Sequence, residues 1–337
     1  MGNPEKAAIQ VRPTLFISDA DVARLADWRA AFDALRGAYA QAIAPAMVPP
    51  RSMARGQGVW LRGLSAVSPS GLYMGCKLIS ANVKIGRASY LVSLFDQQTM
   101  GLDALIDGNR ITGIRTAVTA VVAVDAAAPR TPLRMAVIGS GFEAQGLVAA
   151  LVAIRQVAGL RVYSPTPASR ERFASRCHEQ HGLDAHAVDT PEAAVRGADV
   201  VLCAARSRDE SPVLRGQWLE PGMTVVSIGS TLPEQREVDS HVIERAALVV
   251  ADMPDEVAHD TGDMQTATRE GVDFAGKLVA LSDLVSGQAT RQPQDIVLYK
   301  SVGSALQDVI VAEMLLERAR AQGLGHELAK SIVPVAK

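Results

Sequence analysis

The chain has 337 residues, enough for about two domains of ordinary size. With 48% hydrophobic and 21% charged residues it can fill packed cores, and its composition excludes a disordered chain. The 34 Lys and Arg nearly balance the 36 Asp and Glu, so no bulk charge draws it to nucleic acid or an anionic membrane. At the N-terminus, Met1-Gly2-Asn3-Pro4-Glu5-Lys6 has no basic stretch leading into an apolar one. The longest apolar stretch, residues 117–128, is interrupted by Asp125. A soluble chain without a processed leader is expected. Cys76, Cys177 and Cys203 are too few and too far apart for a disulfide framework or a zinc site, which fits a reducing cytoplasm and no metal.

In chain order, Ser18-Asp19-Ala20-Asp21 reads as a helix start. Val22, Leu25, Trp28, Ala31, Phe32 and Leu35 then recur at helical spacing until Gly37, which predicts one amphipathic helix. From Gly58 to Ile106 short β-like runs alternate with Gly and Ser, as in Met74–Ile79 and Tyr90–Phe95, and predict an antiparallel or mixed sheet. After Pro129-Arg130-Thr131-Pro132 the text becomes strand-then-helix. Strands are expected at Arg134–Ile138, Leu160–Tyr163, Val200–Ala204, Thr224–Ile228 and Leu248–Ala251, an alternation that specifies a parallel sheet covered on both faces. A last helix is expected from Ser304 to Gly323, packing back on the N-terminal part.

The expected fold is α/β: a Rossmann-type doubly wound parallel sheet over residues 117–304, plus a discontinuous α+β domain for substrate binding and dimerisation, residues 1–116 and 305–337. Gly139-Ser140-Gly141-Phe142-Glu143-Ala144 matches G-x-G-x-x-A between a strand and a helix. Gly139 permits the tight turn, Gly141 lets a pyrophosphate approach the backbone, and Ala144 allows close helix-to-strand packing. The helix N-terminus offers free N–H groups and the positive end of its dipole to the phosphates. This turn, continuing to Gln145, is the expected dinucleotide site.

The end of the next strand decides between NAD and NADP, because an acid there would bind the ribose hydroxyls and repel a 2′-phosphate. The sequence has Tyr163-Ser164-Pro165-Thr166-Pro167-Ala168-Ser169-Arg170 and no acid. Hydroxyls at Ser164, Thr166 and Ser169, with Arg170 as a charge partner, favour NADP(H) and leave NAD(H) open. The alternative for Arg170 is a solvated helix face shared with Arg172 and Arg176. The loop Ser207-Arg208-Asp209-Glu210-Ser211, after the strand ending at Ala204-Ala205, sits where doubly wound sheets contact the nicotinamide side, so Ala205 and Ser207 join the expected contacts.

Several segments together resemble the ornithine cyclodeaminase and mu-crystallin family, which includes archaeal-type alanine dehydrogenases and ketimine reductases. They are Gly75-Cys76-Lys77-Leu78-Ile79; Leu105-Ile106-Asp107-Gly108 leading to Ile114-Arg115-Thr116-Ala117; the glycine turn with Gln145; Ile228-Gly229-Ser230 through Pro233, Arg236, Glu237, Val238 and Asp239; and Lys300-Ser301-Val302-Gly303 with Gln307-Asp308. The resemblance implies a Rossmann domain joined to a discontinuous dimerisation domain. It also implies a small amino or imino acid held between them, its carboxylate gripped by two arginines and a lysine. By motif these are Arg51, Arg115 and Lys77, and the cofactor contacts extend to Thr116, Ser230, Val302 and Gly303. A planar guanidinium suits a carboxylate, and a lysine in an apolar strand can position it or donate a proton.

One departure bears on the reaction. Where cyclodeaminases of this family carry an aspartate after the Ile228-Gly229 strand, this chain has Thr231, which cannot act as a carboxylate base. The loop looks more like the reductase branch. The resemblance thus implies reduction of a small α-imino acid, with Lys77 or a water held by Thr231 as the proton source. Asp308 either helps hold cofactor or substrate nitrogen or is a helix-surface charge. An amino acid dehydrogenase, a cyclodeaminase and a non-catalytic NADPH-binding protein are the competing readings. His178-Glu179-Gln180-His181 reads as an exposed helix end and His259-Asp260 as a polar loop, while Trp60 and Trp218 read as packing anchors. Arg55, Arg62 and Arg87 either read a second carboxylate or are surface charge. The amphipathic first and last helices imply a homodimer.

Overall fold

The computed structural model describes residues 12–329 and 331–335; the reading of residues 1–6 lies outside them. The chain forms two compact units. The first holds the residues up to Ala26, Ile43–Thr112 and those from Ala305 on; the second holds Asp27–Ala42 and Gly113–Ser304. This differs from the expected division in two places: residues 27–42 and 113–116 belong with the second unit.

The first unit is a seven-stranded sheet. Its strands are β1 (Leu15–Ile17), β2 (Ser52–Arg55), β3 (Val59–Val67), β4 (Tyr73–Asn82), β5 (Arg87–Asp96), β6 (Leu102–Asp107) and a final short strand, His326–Glu327. Side by side they run His326–Glu327, β1, β6, β5, β4, β3, β2. Only the β1–β6 pair is parallel, so this is the mixed sheet the Gly- and Ser-punctuated text predicts. Helix Ala305–Gln322 packs on one face of β3, β4 and β5. Gly75 lets it come close, since a Cβ there would sit 3.1 Å from the Val309 side chain.

The last turns of that helix are tied to the sheet by polar groups. Arg320 donates to the Tyr73 hydroxyl (2.8 Å) and the buried Asp103 carboxylate (2.8 Å). Glu313 accepts from the Ser70 hydroxyl at 3.3 Å. Burial lifts the Glu313 carboxyl to about 7, above the pull of the Ser68 and Ser70 hydroxyls, and Glu317 pushes it the same way. The folded protein therefore keeps a proton that the unfolded chain, with its ordinary value of 4.5, has already lost. Stability should fall as pH rises from about 4.5 to about 7, by roughly 2 kcal/mol. Urea melts at pH 5 and 7.5 should show this loss in the wild type and a smaller one in Glu313→Gln; equal losses would refute it.

The predicted helix from Ser18 to Gly37 is two helices, Asp19–Leu25 and Trp28–Tyr39. Ser18 caps the first with a reciprocal capping box, as expected. Asp27 caps the second by accepting from Ala30 N–H at 2.9 Å, with Ala26 extended between them. The apolar periodicity stays in phase across this break, which is why it reads as one helix. Gly37 does not end the second, which runs on to Tyr39.

The second unit is an all-parallel, eight-stranded sheet. It contains β7 (Leu133–Ile138), β8 (Val157–Tyr163), β9 (Ala185–Ala187), β10 (Val200–Cys203), β11 (Thr224–Ser227), β12 (Leu248–Ala251), β13 (Leu278–Ala280) and β14 (Val297–Lys300), in the order β13-β12-β14-β11-β10-β7-β8-β9. Apart from the exposed Arg134, the residues of β7, β10, β11 and β14 are buried, and all of those but Thr224, Ser227 and Lys300 are apolar, as a sheet covered on both faces requires. The order turns round between β7 and β10, which makes the carboxyl ends of these strands the switch point where doubly wound sheets bind ligands. Among the described residues no helix is long and apolar enough to cross a membrane. The apolar stretch interrupted by Asp125 lies in helix Asn109–Ala127.

Candidate active site

The glycine turn of the second unit stands at the switch point. Gly139, directly after β7, has φ +110°, and a Cβ there would lie 2.7 Å from the Ala204 carbonyl at the end of β10. Gly141 is different: a Cβ on it would meet nothing within 4 Å. It precedes helix Phe142–Ile154, whose N-terminus has no side-chain cap. The turn thus leaves open space before first-turn N–H groups that no cap residue fills, the shape and charge a pyrophosphate requires. Ala144 is buried, as close helix packing demands. The Gln145 amide reaches back to the Ser140 carbonyl at 3.4 Å, and the exposed Phe142 ring lies against Gly113. A dinucleotide fits these residues.

At the end of β8, Ser164 is buried and Thr166 is exposed. Arg170 donates to the Ser164 carbonyl (3.1 Å) and pairs with the Asp189 carboxylate just after β9. Its guanidinium is thus held at the strand end rather than spread on a solvated helix face. Ser169 accepts from Arg172 at 3.3 Å. Ser207 donates its hydroxyl to the Ser211 carbonyl (2.7 Å), and the Ser211 hydroxyl, donating to Asp209 at 2.7 Å, foremost holds that carboxyl down at about 2, so this loop is bonded to itself. The Ala205 N–H is taken by Glu237 at 2.8 Å.

That glutamate belongs to a buried polar network to which the sequence analysis assigned no role. Glu237 also accepts from Ser227 Oγ (2.6 Å) and Gly229 N–H (2.8 Å), tying together the ends of β10 and β11. Lys300, at the end of β14, meets Asp263 (2.8 Å), Ser227 Oγ (3.1 Å) and the Ser230 carbonyl (3.0 Å). Asp263 accepts from the Glu237 N–H at 2.8 Å. Glu237, Lys300 and Asp263 are all fully buried, and burial pushes the Glu237 carboxyl up against the opposing Lys300. The legible signal was a lysine ending the apolar run Ile296–Tyr299; β14 itself was missed. Such a network fixes loop ends rather than doing chemistry.

Ser230 gives its hydroxyl to the Gln235 carbonyl (2.7 Å), and the Thr231 N–H and hydroxyl both turn to Gln235 Oε1 (2.9 and 3.4 Å). Asp252, directly after β12, accepts from Ser301 Oγ (2.6 Å) and the N–H groups of Val302 (3.1 Å) and Gly303 (2.9 Å), which follow β14. Gly303 has φ +82°, and a Cβ on it would lie 2.7 Å from Arg115 Nη1, so the guanidinium passes across the glycine. Burial raises the Glu143 carboxyl, opposed by the charge of Arg115. The second unit therefore gathers Arg115, Glu143 and Gly303 into one group. Thr116 follows Arg115, half-buried on helix Asn109–Ala127.

In the first unit, Lys77 extends from β4 and is 1% exposed. Its ammonium donates to Asp308 Oδ1 (2.7 Å) and Thr112 Oγ1 (2.6 Å) and stands 5.6 Å over the Tyr90 ring. The Thr112 hydroxyl itself donates to the Gly108 carbonyl (3.0 Å), so it is an acceptor toward Lys77. The surface-charge reading of Asp308 is overturned: the residue is buried in an ion pair with Lys77. Thr112 was missed, since no local pattern distinguishes it from other helix threonines. Arg51 lies one residue ahead of β2 and is half-buried. A lysine held between a carboxylate and a hydroxyl is aimed, and its ammonium can pass a proton to a nitrogen placed beside it.

Among the described residues no three His, Cys, Asp or Glu side chains form a group fit for a metal ion. His178 meets the Leu183 carbonyl (3.1 Å) at the end of helix Pro167–His181. The described cysteines are all free thiols.

The chain is 32% identical over 263 residues to a Δ1-pyrroline-2-carboxylate reductase of Bacillus cereus, covering 76% of this chain and 80% of that one. Among solved structures, a probable ornithine cyclodeaminase from Bordetella pertussis is 30% identical, with a TM-score of 0.81, covering 92% of this chain and 98% of that one. The fold is also that of Thermococcus litoralis Δ1-pyrroline-2-carboxylate reductase, solved with NADH and L-proline, with a TM-score of 0.84 at 24% identity over 94% of this chain and all of that one. The sequence profile of the ornithine cyclodeaminase/mu-crystallin family matches residues 19–323, and the chain belongs to that family.

Proposed function

We propose that this chain is an NAD(P)H-dependent reductase of a small α-imino acid. The observation that carries the reading is the buried Lys77 ammonium, held at 2.7 Å from Asp308 and 2.6 Å from Thr112. The first-turn N–H groups of helix Phe142–Ile154 would hold the pyrophosphate of a reduced nicotinamide dinucleotide, with Gly141 leaving the room, and that cofactor would supply a hydride. Arg51 and Arg115 grip the substrate carboxylate in two-pronged hydrogen bonds and so orient the reacting carbon. Lys77 would give one proton to the nitrogen as the carbon gains the hydride, so that C=N becomes H–C–N–H, and Asp308 holds the lysine in place for that transfer.

The B. cereus reductase supports this reading. The likeness to a probable cyclodeaminase supports the competing one. Ornithine cyclisation wants a carboxylate base after β11, and the chain has Thr231 there, turned to Gln235. NADP(H) is the proposed cofactor, because Ser164 rather than an acid ends β8 and the Arg170 guanidinium is held at that point. Asp189 sits on that guanidinium and is almost fully exposed, so a 2′-phosphate can compete for the arginine. The proposed setting is the cytoplasm, which the free thiols fit.

The partner is a second copy of the chain. Val59, Leu61 and Leu78 stand exposed on the outer face of β3 and β4, beside Val83 and Ile85 at the following turn. A groove of ≈ 580 Å³ lies over the same strands. Sedimentation as a monomer at micromolar concentration would refute the dimer.

The test is a panel of cyclic ketimines, and of 2-oxo acids with ammonia or methylamine, followed by NADPH and NADH absorbance in parallel. Reduction of preformed imines, faster with NADPH, is expected. Strict dependence on ammonia would make the enzyme an amino acid dehydrogenase. Conversion of ornithine to proline at constant absorbance would make it a cyclodeaminase, and tight NADPH binding without turnover would make it a binding protein.

A further inference from the structure

We propose that Tyr90 is the positioning residue for Lys77: the face of its ring steers the ammonium and favours its charged form, a role that rests on the reading of Lys77 as proton donor. The placement starts from the sheet register. Lys77 on β4 pairs with Val92 on β5, and Tyr90 stands two residues before Val92. Side chains two apart on a strand share a face, so Tyr90 lies diagonally across from Lys77 on the same side of the sheet. The Lys77 Nζ is 5.6 Å from the ring centroid, inside the range at which the negative face of an aromatic ring attracts a cation. Lys77 is buried, and a cation withdrawn from water feels that attraction most.

One peptide group seats the ring and the neighbouring hydroxyl together. The N–H of Gly108, directly after β6, donates to the Tyr90 carbonyl at 3.0 Å, and the Gly108 carbonyl accepts from the Thr112 hydroxyl at 3.0 Å. That hydroxyl accepts from Lys77. A Cβ on Gly108 would lie 3.1 Å from the Tyr90 Cβ, so the glycine lets the tyrosine sit close. The ammonium is thus approached from three elements: Asp308 on helix Ala305–Gln322, Thr112 in the first turn of helix Asn109–Ala127, and Tyr90 on β5. Leu64 of β3 and Val92 of β5 pair beside Lys77 and are apolar; Arg62, next on this face of β3, is the other charged group that the sheet brings toward it.

The ring adds what the carboxylate does not. Lysine carries its charge at the end of a flexible four-carbon stem, and a carboxylate attracts that charge over a wide range of angles. A ring attracts it only over the face and repels it at the edge, so a seated ring gives the ammonium a direction. The attraction belongs to the face of the ring, and the phenol hydroxyl is not needed for it.

The test replaces Tyr90 with phenylalanine, with mono-, di- and trifluorophenylalanine, and with leucine. Successive fluorines keep the shape of the ring and draw charge from its face. Tyr90→Phe should reduce preformed cyclic ketimines with the kcat of the wild type. Along the fluorinated series kcat should fall stepwise, to about tenfold below wild type in Tyr90→Leu, with a smaller change in KM. The alkaline limb of the kcat profile should move to lower pH in the same order, by about one pH unit at the end, because losing the ring favours the neutral amine. A loss in Tyr90→Phe as large as in Tyr90→Leu would make the hydroxyl the active group and overturn the proposal. So would a kcat and a pH profile that ignore fluorination. Should Tyr90→Leu fail to fold by circular dichroism, the fluorinated series, which keeps the packing, decides. A readout independent of turnover comes from nuclear magnetic resonance of isotope-labelled lysine nitrogens, where the signal lost in Lys77→Arg should titrate at lower pH along the series. That shift in a protein that reduces no imine upholds the ring contact and refutes the reaction; imine reduction with a signal indifferent to the series does the reverse.

Discussion

Replacing Lys77 with methionine is expected to abolish imine reduction and also to destabilise the protein, and adding Asp308→Asn should repair the second loss but not the first. Both side chains are 2% exposed and lie 2.7 Å apart. Removing the lysine alone strands a buried carboxylate, which costs about 3–5 kcal/mol. Neutralising Asp308 as well removes the charge that needed a partner, and paired replacement of buried ions is often close to neutral. The Thr112 hydroxyl also loses its donor in both variants, so recovery should be large but incomplete. Activity follows a different rule. Loss of a positioned proton donor costs about 10²- to 10⁴-fold, and restored folding does not return it. Urea unfolding and NAD(P)H-coupled turnover of the two variants separate these effects. If the double variant regains turnover along with stability, the pair is a structural staple and Lys77 has no part in proton transfer.

How much could be read in advance depended on how local each feature is. The glycine turn was legible because one short run sets its strand, its tight turn and its helix start, and Gly139 and Ala144 do what their positions require. The alternation of apolar strands and helices gave the parallel sheet for the same reason. The strand β14 was overlooked although Ile296–Tyr299 is apolar, because the chain reaches the middle of the sheet there only by skipping past β12 and β13. The break at Ala26-Asp27 was hidden by an apolar spacing that stays in phase across it. The partners of charged residues were the least legible part. Lys77 and Asp308 are 231 residues apart, and only the register of β4 against helix Ala305–Gln322 makes them an ion pair. Arg170 was recognised as a cation at the right strand end, but its pairing with Asp189 comes from the next strand over. Glu237, Lys300 and Asp263 likewise meet from a loop, a strand end and the first turn of helix Gly262–Arg269. Sequence text supplies residue types at such a place; the sheet order decides which of them touch.

The two glycines of the nucleotide turn should both matter for nucleotide affinity when substituted but differ in their effect on stability. Gly139→Ala puts a Cβ 2.7 Å from the Ala204 carbonyl at φ +110°, so either the turn or the end of β10 must move. A non-glycine residue held in such backbone costs about 1–3 kcal/mol before the clash is counted. That variant should lose stability and, with its turn displaced, nucleotide affinity as well. Gly141→Val meets no protein atom within 4 Å from its Cβ, and its φ of −80° and ψ of −169° are ordinary extended values for valine. The valine variant should therefore fold with a melting midpoint close to wild type. Its side chain, however, fills the space before the uncapped N–H groups of helix Phe142–Ile154, where a pyrophosphate must approach the backbone. Affinity for NADPH should drop on the order of a hundredfold or more, as for loss of a charge-assisted backbone contact set. Fluorescence titration with NADPH and thermal melts of both variants give the comparison. A Gly141→Val protein that binds NADPH as the wild type does would show that the cofactor does not use this turn, and the hydride source would have to be sought elsewhere in the chain.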